Sequence, residues 1–217
     1  MAALSIVIGV KNYTSWSMRA WLALKRTGQP FEETTVYWGA PGFRERLKEL
    51  SPSGRMPVLR HGERVIWDSL AIGEYLAETF PEAGLWPDDM QARAAARAAV
   101  CEMHGGFPAL RRHMRMNIRK RLPGKGWGPG VAEDVDRIVR LWLDCRARYG
   151  RGGPYLFGRF TNADAVYAPV VTRFRTYAVP LPPAAQAYAD AVWTTPEVRA
   201  WVRGALRETH VIPDSEL

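Results

Sequence analysis

The segment from Asn12 to Arg19 places three serine and threonine hydroxyls between a predicted strand and a predicted helix. A hydroxyl at a helix N-terminus can cap the helix, and the free backbone N–H groups and the helix dipole at that end also favour a bound anion. Capping accounts for one hydroxyl, whereas Thr14, Ser15 and Ser17 supply three. The residue types therefore leave two interpretations open: a capped helix, or a site that stabilises negative charge.

A second pattern is the dipeptide Met56-Pro57, which opens a predicted strand. A proline is tolerated there in a sheet if its missing N–H has no partner in the ladder. If the bond is cis, the backbone N–H and C=O of Met56 can face a ligand peptide; if it is trans, Pro57 begins an edge strand. The spacing alone does not separate these interpretations.

A third pattern, Asp68-Ser69, leads directly into a predicted helix. Either residue is a good N-cap, which is a structural role. The same helix N-terminus, with a hydroxyl and free N–H groups, also suits the carboxylate of a ligand. Both roles are compatible with the sequence.

The elements that must position these residues alternate between strand and helix. Strands are predicted at 4–9, 34–38, 57–60 and 65–67, and helices at 18–27, 43–50 and 69–80. This order is typical of a compact α/β unit. A segment rich in proline, glycine and acids, 81–89, then precedes a region with helical patterns only. We therefore predict an α/β domain over residues 1–82 and an all-helical domain over 90–217.

Helices of the second region are predicted at 90–121, 131–149, 163–177, 183–192 and 196–206. Within the first of them, Arg111, Arg115 and Arg119 recur at i, i+4 and i+8 and form a basic stripe. Such a stripe is typical of a solvated helix face; the alternatives are a wall that attracts a small anion and a surface for nucleic acid.

The charge and the composition restrict the classes of partner and cofactor that we expect. The net charge of +8 directs attention to nucleic acid, but the basic residues are spread along the chain and form no recognised nucleic-acid module, so we expect no such partner. No stretch approaches the roughly 18 apolar residues of a membrane helix. Cys101 and Cys145 lie outside any Cys-x-x-Cys pair, so a zinc or dithiol motif has no support and we expect no metal. We expect two buried free thiols and a cytoplasmic location, although one disulfide is compatible.

Taken together, the three patterns resemble the glutathione transferase superfamily over nearly the whole chain. Met-Pro followed twelve residues later by Asp-Ser at a helix start is similar to that family's glutathione site. The resemblance implies a thioredoxin-like first domain, a cis bond at Met56-Pro57 beside the cysteinyl part of glutathione, and Asp68-Ser69 at the γ-glutamyl carboxylate. Arg55 stands where the family often has a lysine near the glycine end. Further on, Thr161 and Asp164 resemble the family's capping box.

Within the superfamily, Ser15-Trp16 and Arg19 look most like the zeta class, whose loop reads Ser-Ser-Cys-Ser-Trp-x-x-Arg. On that alignment the class's catalytic serine falls on Asn12 and its cysteine on Thr14, which departs from the zeta pattern. Tyr13 lies too late in the loop for a tyrosine-type enzyme. Neither cysteine falls in the loop, which disfavours thiol exchange.

The thiol of the co-substrate is the group that must be activated. A thiol with a pKa of about 8.5 is only a few per cent ionised at neutral pH, and the thiolate is the nucleophile. We predict that Thr14 or Ser15, with Asn12 as the third candidate, donates a hydrogen bond to the sulfur. The positive end of the following helix adds to this stabilisation.

The resemblance also implies a pocket for the second substrate, formed by helices of the second domain. Its predicted lining is Met103, Phe107, Arg111, Arg173 and Tyr177. Arg173 is favoured because an unpaired buried charge on an otherwise apolar helix is costly. His104 is interpreted as an ordinary helix residue.

The leading hypothesis is a homodimeric enzyme that activates glutathione for attack on a small hydrophobic electrophile, by conjugation or isomerisation. The alternative is a non-catalytic relative that carries ligands or binds proteins. Retention of both Met56-Pro57 and Asp68-Ser69 favours the enzyme, because a purely interacting protein does not need them.

Overall fold

The computed structural model describes residues 3–216. The first part of the chain folds as β1 (Leu4–Gly9), α1 (Ser15–Arg26), β2 (Phe31–Val36), α2 (Phe43–Leu50), β3 (Val58–His61), β4 (Arg64–Trp67) and α3 (Ser69–Thr79). The four strands form one mixed sheet in the order β2-β1-β3-β4, in which β1 is parallel to β2 and antiparallel to β3. This is the thioredoxin-like arrangement that the sequence predicts.

Strand β1 holds the sheet together because both of its faces are buried. Ile6 and Ile8 are fully buried in the large core with α1 and α3, whereas Val7 points to the opposite face and packs with Val36 and Val58. The alternation follows from the two-residue period of a strand. A strand covered on both faces fixes the position of the loop that follows it, and that loop carries Asn12 to Ser15.

The second region is helical: α4 (Met90–Gly105), α5 (Pro108–His113), α6 (Val131–Tyr149), α7 (Asn162–Tyr177), α8 (Pro183–Thr194) and α9 (Pro196–Arg207). Helix α7 is buried along almost its whole length and packs against α1, α4 and α8. At its start, the Asp164 carboxylate accepts the backbone N–H of Thr161 at 2.8 Å, as the capping-box spacing predicts. The predicted domain limits, 1–82 and 90–217, stay predictions.

The predicted helix over 90–121 is wrong beyond Gly105. A Cβ at Gly106 would lie 2.6 Å from the carbonyl oxygen of Glu102, and Phe107 adopts a left-handed conformation with φ of 59°. Pro108 then begins a new, short helix, because its missing N–H is harmless in a first turn. Residues 114–130 contain no helix in the described structure.

The basic stripe is therefore not a solvated helix face. Arg111 donates to the carbonyls of Met103, His104 and Gly106, which are orphan acceptors at the end of α4. Arg119 donates to the Tyr13 hydroxyl at 2.7 Å and to the carbonyls of Glu208 and His210. The run of arginines ties together segments that are far apart in the sequence.

The two cysteines differ in their exposure to solvent. Both are free, but Cys101 is exposed while Cys145 is buried, so the prediction of two buried thiols is wrong for Cys101. Between residues 3 and 216, the structure contains no helix long and apolar enough to cross a membrane.

Candidate active site

Two adjoining pockets lie beside the loop that joins β1 to α1. We call the first, of about 510 Å³, the polar pocket and the second, of about 350 Å³, the arginine pocket. Trp16 and Met56 line both, so the two pockets lie next to each other.

The polar pocket collects every residue predicted to bind glutathione. Its lining is Trp16, Ser53, Arg55, Met56, Pro57, Trp67, Asp68, Ser69 and His104. The Met56–Pro57 peptide bond is cis, as predicted. The stretch from Ser53 to Ser69 thus supplies most of this pocket through the loop before β3, the end of β4 and the start of α3.

Asp68 and Ser69 form the start of α3. Asp68 Oδ1 accepts the backbone N–H of Leu70 at 2.8 Å and so caps the helix, while its backbone has a φ of 72°, a conformation that non-glycine residues rarely adopt. The Ser69 hydroxyl is buried and has no hydrogen-bond partner among the described residues. With no acid in the first turn of α3, this hydroxyl and the helix end favour a ligand carboxylate.

His104 is a pocket residue that the sequence interpretation missed. It comes from the last turn of α4, its Nε2 lies 3.4 Å from Asp68 Oδ2, and its ring contacts Trp16 edge-on. Burial lowers its pKa, with Arg19 and Arg111 acting in the same direction and Asp68 opposing them. Nothing in the sequence signalled this role, because the position of His104 beside Asp68 depends on where α4 ends against the first domain.

The arginine pocket lies at the N-terminus of α1. It is lined by Gly9, Val10, Tyr13, Thr14, Ser15, Trp16, Val36, Trp38, Met56, Arg111, Arg173 and Ile212. Thr14 is the N-cap residue, but its hydroxyl donates to Ser17 Oγ at 3.0 Å instead of capping the helix. Ser17 Oγ also accepts the backbone N–H of Gly9. The α1 N-terminus therefore keeps free N–H groups and has no acid in its first turn.

Arg111 and Arg173 bring positive charge to this pocket from the second domain. Arg173 is 5% exposed and donates to the carbonyls of Met114 at 2.9 Å and Pro169 at 3.1 Å. Neither arginine forms an ion pair with a carboxylate within residues 3–216. Burial, and then Arg111, lower the pKa of Arg173 to about 10, so it stays charged at neutral pH.

Four of the predicted site residues lie outside both pockets. Met103, Phe107 and Tyr177 are buried in the hydrophobic core. The Asn12 side chain is fully buried; its Nδ2 donates to Asn117 Oδ1 at 3.0 Å and its Oδ1 accepts the backbone N–H of Arg119 at 2.9 Å. Because both polar atoms of Asn12 bind the second region, this side chain anchors the loop and does not face the pockets.

The segment after α9 completes the arginine pocket. Glu208 accepts the backbone N–H groups of Lys11 at 2.7 Å and Asn12 at 2.9 Å, and Ile212 lines the pocket itself. The described residues contain no group of histidine, cysteine, aspartate and glutamate side chains that could hold a metal.

Sequence comparison matches the chain to two models of one family. Residues 13–79 match the glutathione S-transferase N-terminal domain, and residues 126–204 match its C-terminal domain. A maleylpyruvate isomerase of Ralstonia is 30% identical over 190 residues, which is 80% of this chain and 86% of that protein. A probable maleylacetoacetate isomerase of Caenorhabditis elegans is 42% identical over 100 residues, and the chain spans about half of its length, 46%.

Comparison with solved structures gives a similar result. A crystal structure of a glutathione transferase homolog from Burkholderia with bound glutathione has a TM-score of 0.70 and 24% identity, and the match covers 95% of this chain and 100% of that one. The two domain matches and the similar relatives agree with the fold and the pocket geometry described above. The chain belongs to the glutathione S-transferase family.

Proposed function

We propose that the protein is a glutathione-dependent enzyme that adds the glutathione thiolate to a small electrophile carrying a carboxylate. The observation that carries this proposal is the pair Arg111 and Arg173, which line the pocket at the N-terminus of α1 without a carboxylate partner in the described structure. Two relatives, named maleylpyruvate isomerase and maleylacetoacetate isomerase, support it, since both names denote unsaturated keto acids.

Glutathione occupies the polar pocket in this proposal. The γ-glutamyl carboxylate accepts hydrogen bonds from the Ser69 hydroxyl and the free N–H groups of α3. The γ-glutamyl amino group pairs with the Asp68 carboxylate. The cysteinyl part passes Met56, which lines both pockets, and the glycine end lies near Arg55. His104 beside Asp68 closes the γ-glutamyl end from the second domain.

The sulfur then reaches the N-terminus of α1. We assign the hydrogen bond to the thiolate to Ser15, because the Thr14 hydroxyl proton is already directed to Ser17. Thr14 supports the loop, and the unscreened end of α1 adds positive potential. Both effects lower the pKa of the glutathione thiol and raise the fraction of thiolate at neutral pH.

In the reaction, the thiolate forms a C–S bond to an alkene carbon conjugated to a carbonyl, and the alkene electron pair moves to the carbonyl oxygen. Arg111 and Arg173 bind the carboxylate and stabilise the developing negative charge. Protonation of the adduct gives conjugation. Loss of the same thiolate after rotation about the former double bond gives isomerisation and regenerates glutathione.

The test compares two substrates that differ in charge. Maleylpyruvate and its neutral methyl esters are incubated with the protein, with and without glutathione, and the loss of the cis-alkene is followed by absorbance. We expect glutathione-dependent turnover and a strong preference for the free acid. If glutathione binds but neither substrate is turned over, the enzyme hypothesis is wrong and the non-catalytic carrier replaces it.

We also propose that the protein is a cytoplasmic homodimer. Family membership supports the dimer, in which the first domain of one chain pairs with the second domain of its partner, and the two free cysteines support the location. Sedimentation at micromolar concentration should give about twice the 24.4 kDa of one chain. A species with the mass of one chain would contradict it.

A further inference from the structure

The fold commits one oxygen of the Asp68 carboxylate and leaves the other free. Asp68 Oδ1 accepts the backbone N–H of Leu70 and caps α3. Asp68 Oδ2 has no hydrogen bond among the described residues, and this side chain, which is 47% exposed, lines the polar pocket. Asp68 Oδ2 is therefore the atom that can receive a cationic group of a bound ligand.

His104 approaches this free oxygen from the second domain. Its Nε2 lies 3.4 Å from Asp68 Oδ2, which is longer than an ordinary N–H···O hydrogen bond. The His104 ring contacts Trp16 edge-on with 4.8 Å between the ring centres, and Arg111 donates to the His104 carbonyl at 3.3 Å. These contacts hold the ring beside Asp68 without closing the gap between the two side chains.

The two ring nitrogens of His104 have different surroundings. Nδ1 is buried and has no hydrogen-bond partner in the described part of the chain, whereas Nε2 faces the Asp68 carboxylate. A proton on Nδ1 would be a buried donor without an acceptor, which is costly. The neutral ring therefore carries its single proton on Nε2, and protonation adds a second proton at the unfavourable Nδ1 position.

The charges around the ring also favour its neutral form. The titratable and charged side chains near His104 come from several elements: Asp68 at the start of α3, Arg19 in α1, Arg55 before β3, Arg111 in α5, and Cys101 and Glu102 in α4. Glu102 already forms an ion pair with an arginine of α6 at 2.6 Å, so Asp68 is the carboxylate that faces His104. Burial is the largest cause of the lowered pKa of His104; Arg19 and Arg111 also lower it, and Asp68 raises it. His104 is therefore neutral at neutral pH and takes up a proton at mildly acidic pH.

A protonated His104 and the amino group of glutathione would compete for the same oxygen. In the proposed function, the γ-glutamyl ammonium group pairs with Asp68, and Asp68 Oδ1 is already bound to the backbone. Two cations at Asp68 Oδ2 repel each other, and one carboxylate oxygen cannot neutralise both. The γ-glutamyl carboxylate has separate donors, the Ser69 hydroxyl and the N-terminus of α3, and does not need His104.

We propose that His104 is a proton-controlled specificity residue for the γ-glutamyl ammonium group of the ligand. The neutral ring leaves Asp68 Oδ2 to the ammonium group, and the protonated ring occupies that oxygen and excludes it. Binding of a γ-glutamyl compound and protonation of His104 therefore oppose each other. This inference rests on the binding of glutathione in the polar pocket, and it requires neither the electrophile nor turnover.

The test measures the affinity for S-methylglutathione by calorimetry between about pH 7.5 and about pH 5. The S-methyl group removes the thiol, whose own ionisation would otherwise change the affinity with pH. We expect the affinity to fall as the pH drops through the pKa of His104 in the free protein, and the loss should approach about tenfold per pH unit. Near that pKa, binding should also release a proton, which makes the measured heat depend on the buffer.

A ligand without the amino group separates this competition from a general effect of acid. S-methylglutathione in which a glutaryl group replaces the γ-glutamyl group keeps both carboxylates and lacks the ammonium group. We expect its affinity to stay constant or to rise on acidification. An equal fall for the two ligands, or a rise for S-methylglutathione itself, would overturn the proposal, since His104 would then not compete with the ammonium group.

A matched pair of variants assigns the proton to His104. His104→Gln keeps a polar side chain and cannot take up a proton, so it should keep the affinity of the unchanged protein at about pH 7.5 and lose the fall at acidic pH. His61→Gln is the control, because His61 lies outside both pockets with its Nδ1 2.8 Å from the Tyr75 hydroxyl, and it should keep the full pH dependence. An equal loss of affinity at every pH in His104→Gln would make His104 a packing residue and contradict the proposal.

The outcomes distinguish this inference from the proposed function. If S-methylglutathione does not bind at any pH, both are wrong. If it binds with an affinity that is independent of pH, glutathione binding stands and the role of His104 is wrong. If His104→Gln does not fold, the comparison of the two ligands on the unchanged protein decides.

Discussion

The polar pocket and the arginine pocket touch at Trp16, yet the chain builds them in different ways. Most of the polar pocket comes from one stretch, Ser53 to Ser69. The arginine pocket assembles the loop after β1, the end of β2, one residue each of α5 and α7, and the segment after α9. A contiguous stretch can be recognised from its spacing, whereas an assembled pocket exists only after the whole chain has folded.

Charge separates the two pockets as well. The polar pocket combines the Asp68 carboxylate with Arg55 and therefore suits a ligand with both an amino group and carboxylates. The arginine pocket has two guanidinium groups and no acid in its lining. The difference predicts that substitutions in the first pocket change the affinity for glutathione, and those in the second change the choice of electrophile.

The largest effect should come from Arg173→Met. Removing one partner of a buried, hydrogen-bonded charge pair costs about 2–5 kcal/mol, so kcat/KM for a carboxylate electrophile should fall at least about 30-fold. A neutral ester of the same electrophile should lose far less, and glutathione affinity should hold. Steady-state kinetics with both substrates measure this.

Arg175→Met is the matched control, because Arg175 lies on the same helix and pairs with Asp190 at 3.3 Å outside the pockets. It should leave kcat/KM for both substrates unchanged. An equal loss for acid and ester in Arg173→Met would mean that the arginine supports the fold and not the substrate.

Ser69→Ala should act on the other pocket. Its hydroxyl has no protein partner in the described structure, so the substitution removes a hydrogen bond to a ligand carboxylate at little loss of fold stability. Such a bond contributes about 1.5–3 kcal/mol, and glutathione affinity should fall by at least about tenfold in calorimetry. Ser53→Ala serves as the control, since Ser53 lines the pocket but has Ser51 Oγ at 3.2 Å. Unchanged affinity in Ser69→Ala would contradict the assignment.

A smaller effect is expected where the pockets meet. Bound glutathione should have a thiol pKa well below that of free glutathione, measured as thiolate absorbance at 240 nm against pH. Ser15→Ala should raise this pKa by about one unit, equivalent to about 1.4 kcal/mol. Thr14→Val should raise it less, because the Thr14 hydroxyl donates to Ser17. An unshifted pKa in the unchanged protein would remove the catalytic role, and a larger effect of Thr14→Val would reverse our choice of donor.

Features with local causes were predictable from the sequence. The strands, the helix start at Asp68 and the capping box at Asp164 each depend on a few neighbouring residues. The cis Met56-Pro57 bond was expected from the family resemblance, because the spacing alone left it open. The helix predicted over 90–121 was wrong beyond Gly105, although Leu110 in the short α5 and Met114 and Ile118 beyond it are all buried. There Gly106 and Pro108 decide the backbone, and tertiary contacts bury the side chains.

The candidate site was harder to predict where its residues act through distant partners. Arg173 could be found because a charge on an apolar helix is conspicuous. His104 and Ile212 could not, since their place in the pockets depends on where α4 ends and how the segment after α9 crosses the loop. Asn12 occupies the position of a catalytic serine in the related class, yet its partners are 105 and 107 residues away.

The hydrogen bonds from Lys11 and Asn12 to Glu208 also set the order in which the protein can mature on the ribosome. Glu208 is made 197 residues after Lys11, a delay of roughly 10–40 s at ordinary elongation rates. The sheet and α1 can form early, but the loop that carries Ser15 lacks its carboxylate anchor until the segment after α9 has left the exit tunnel. A nascent chain stalled within α9 should therefore fold its first domain while the loop between β1 and α1 stays unanchored.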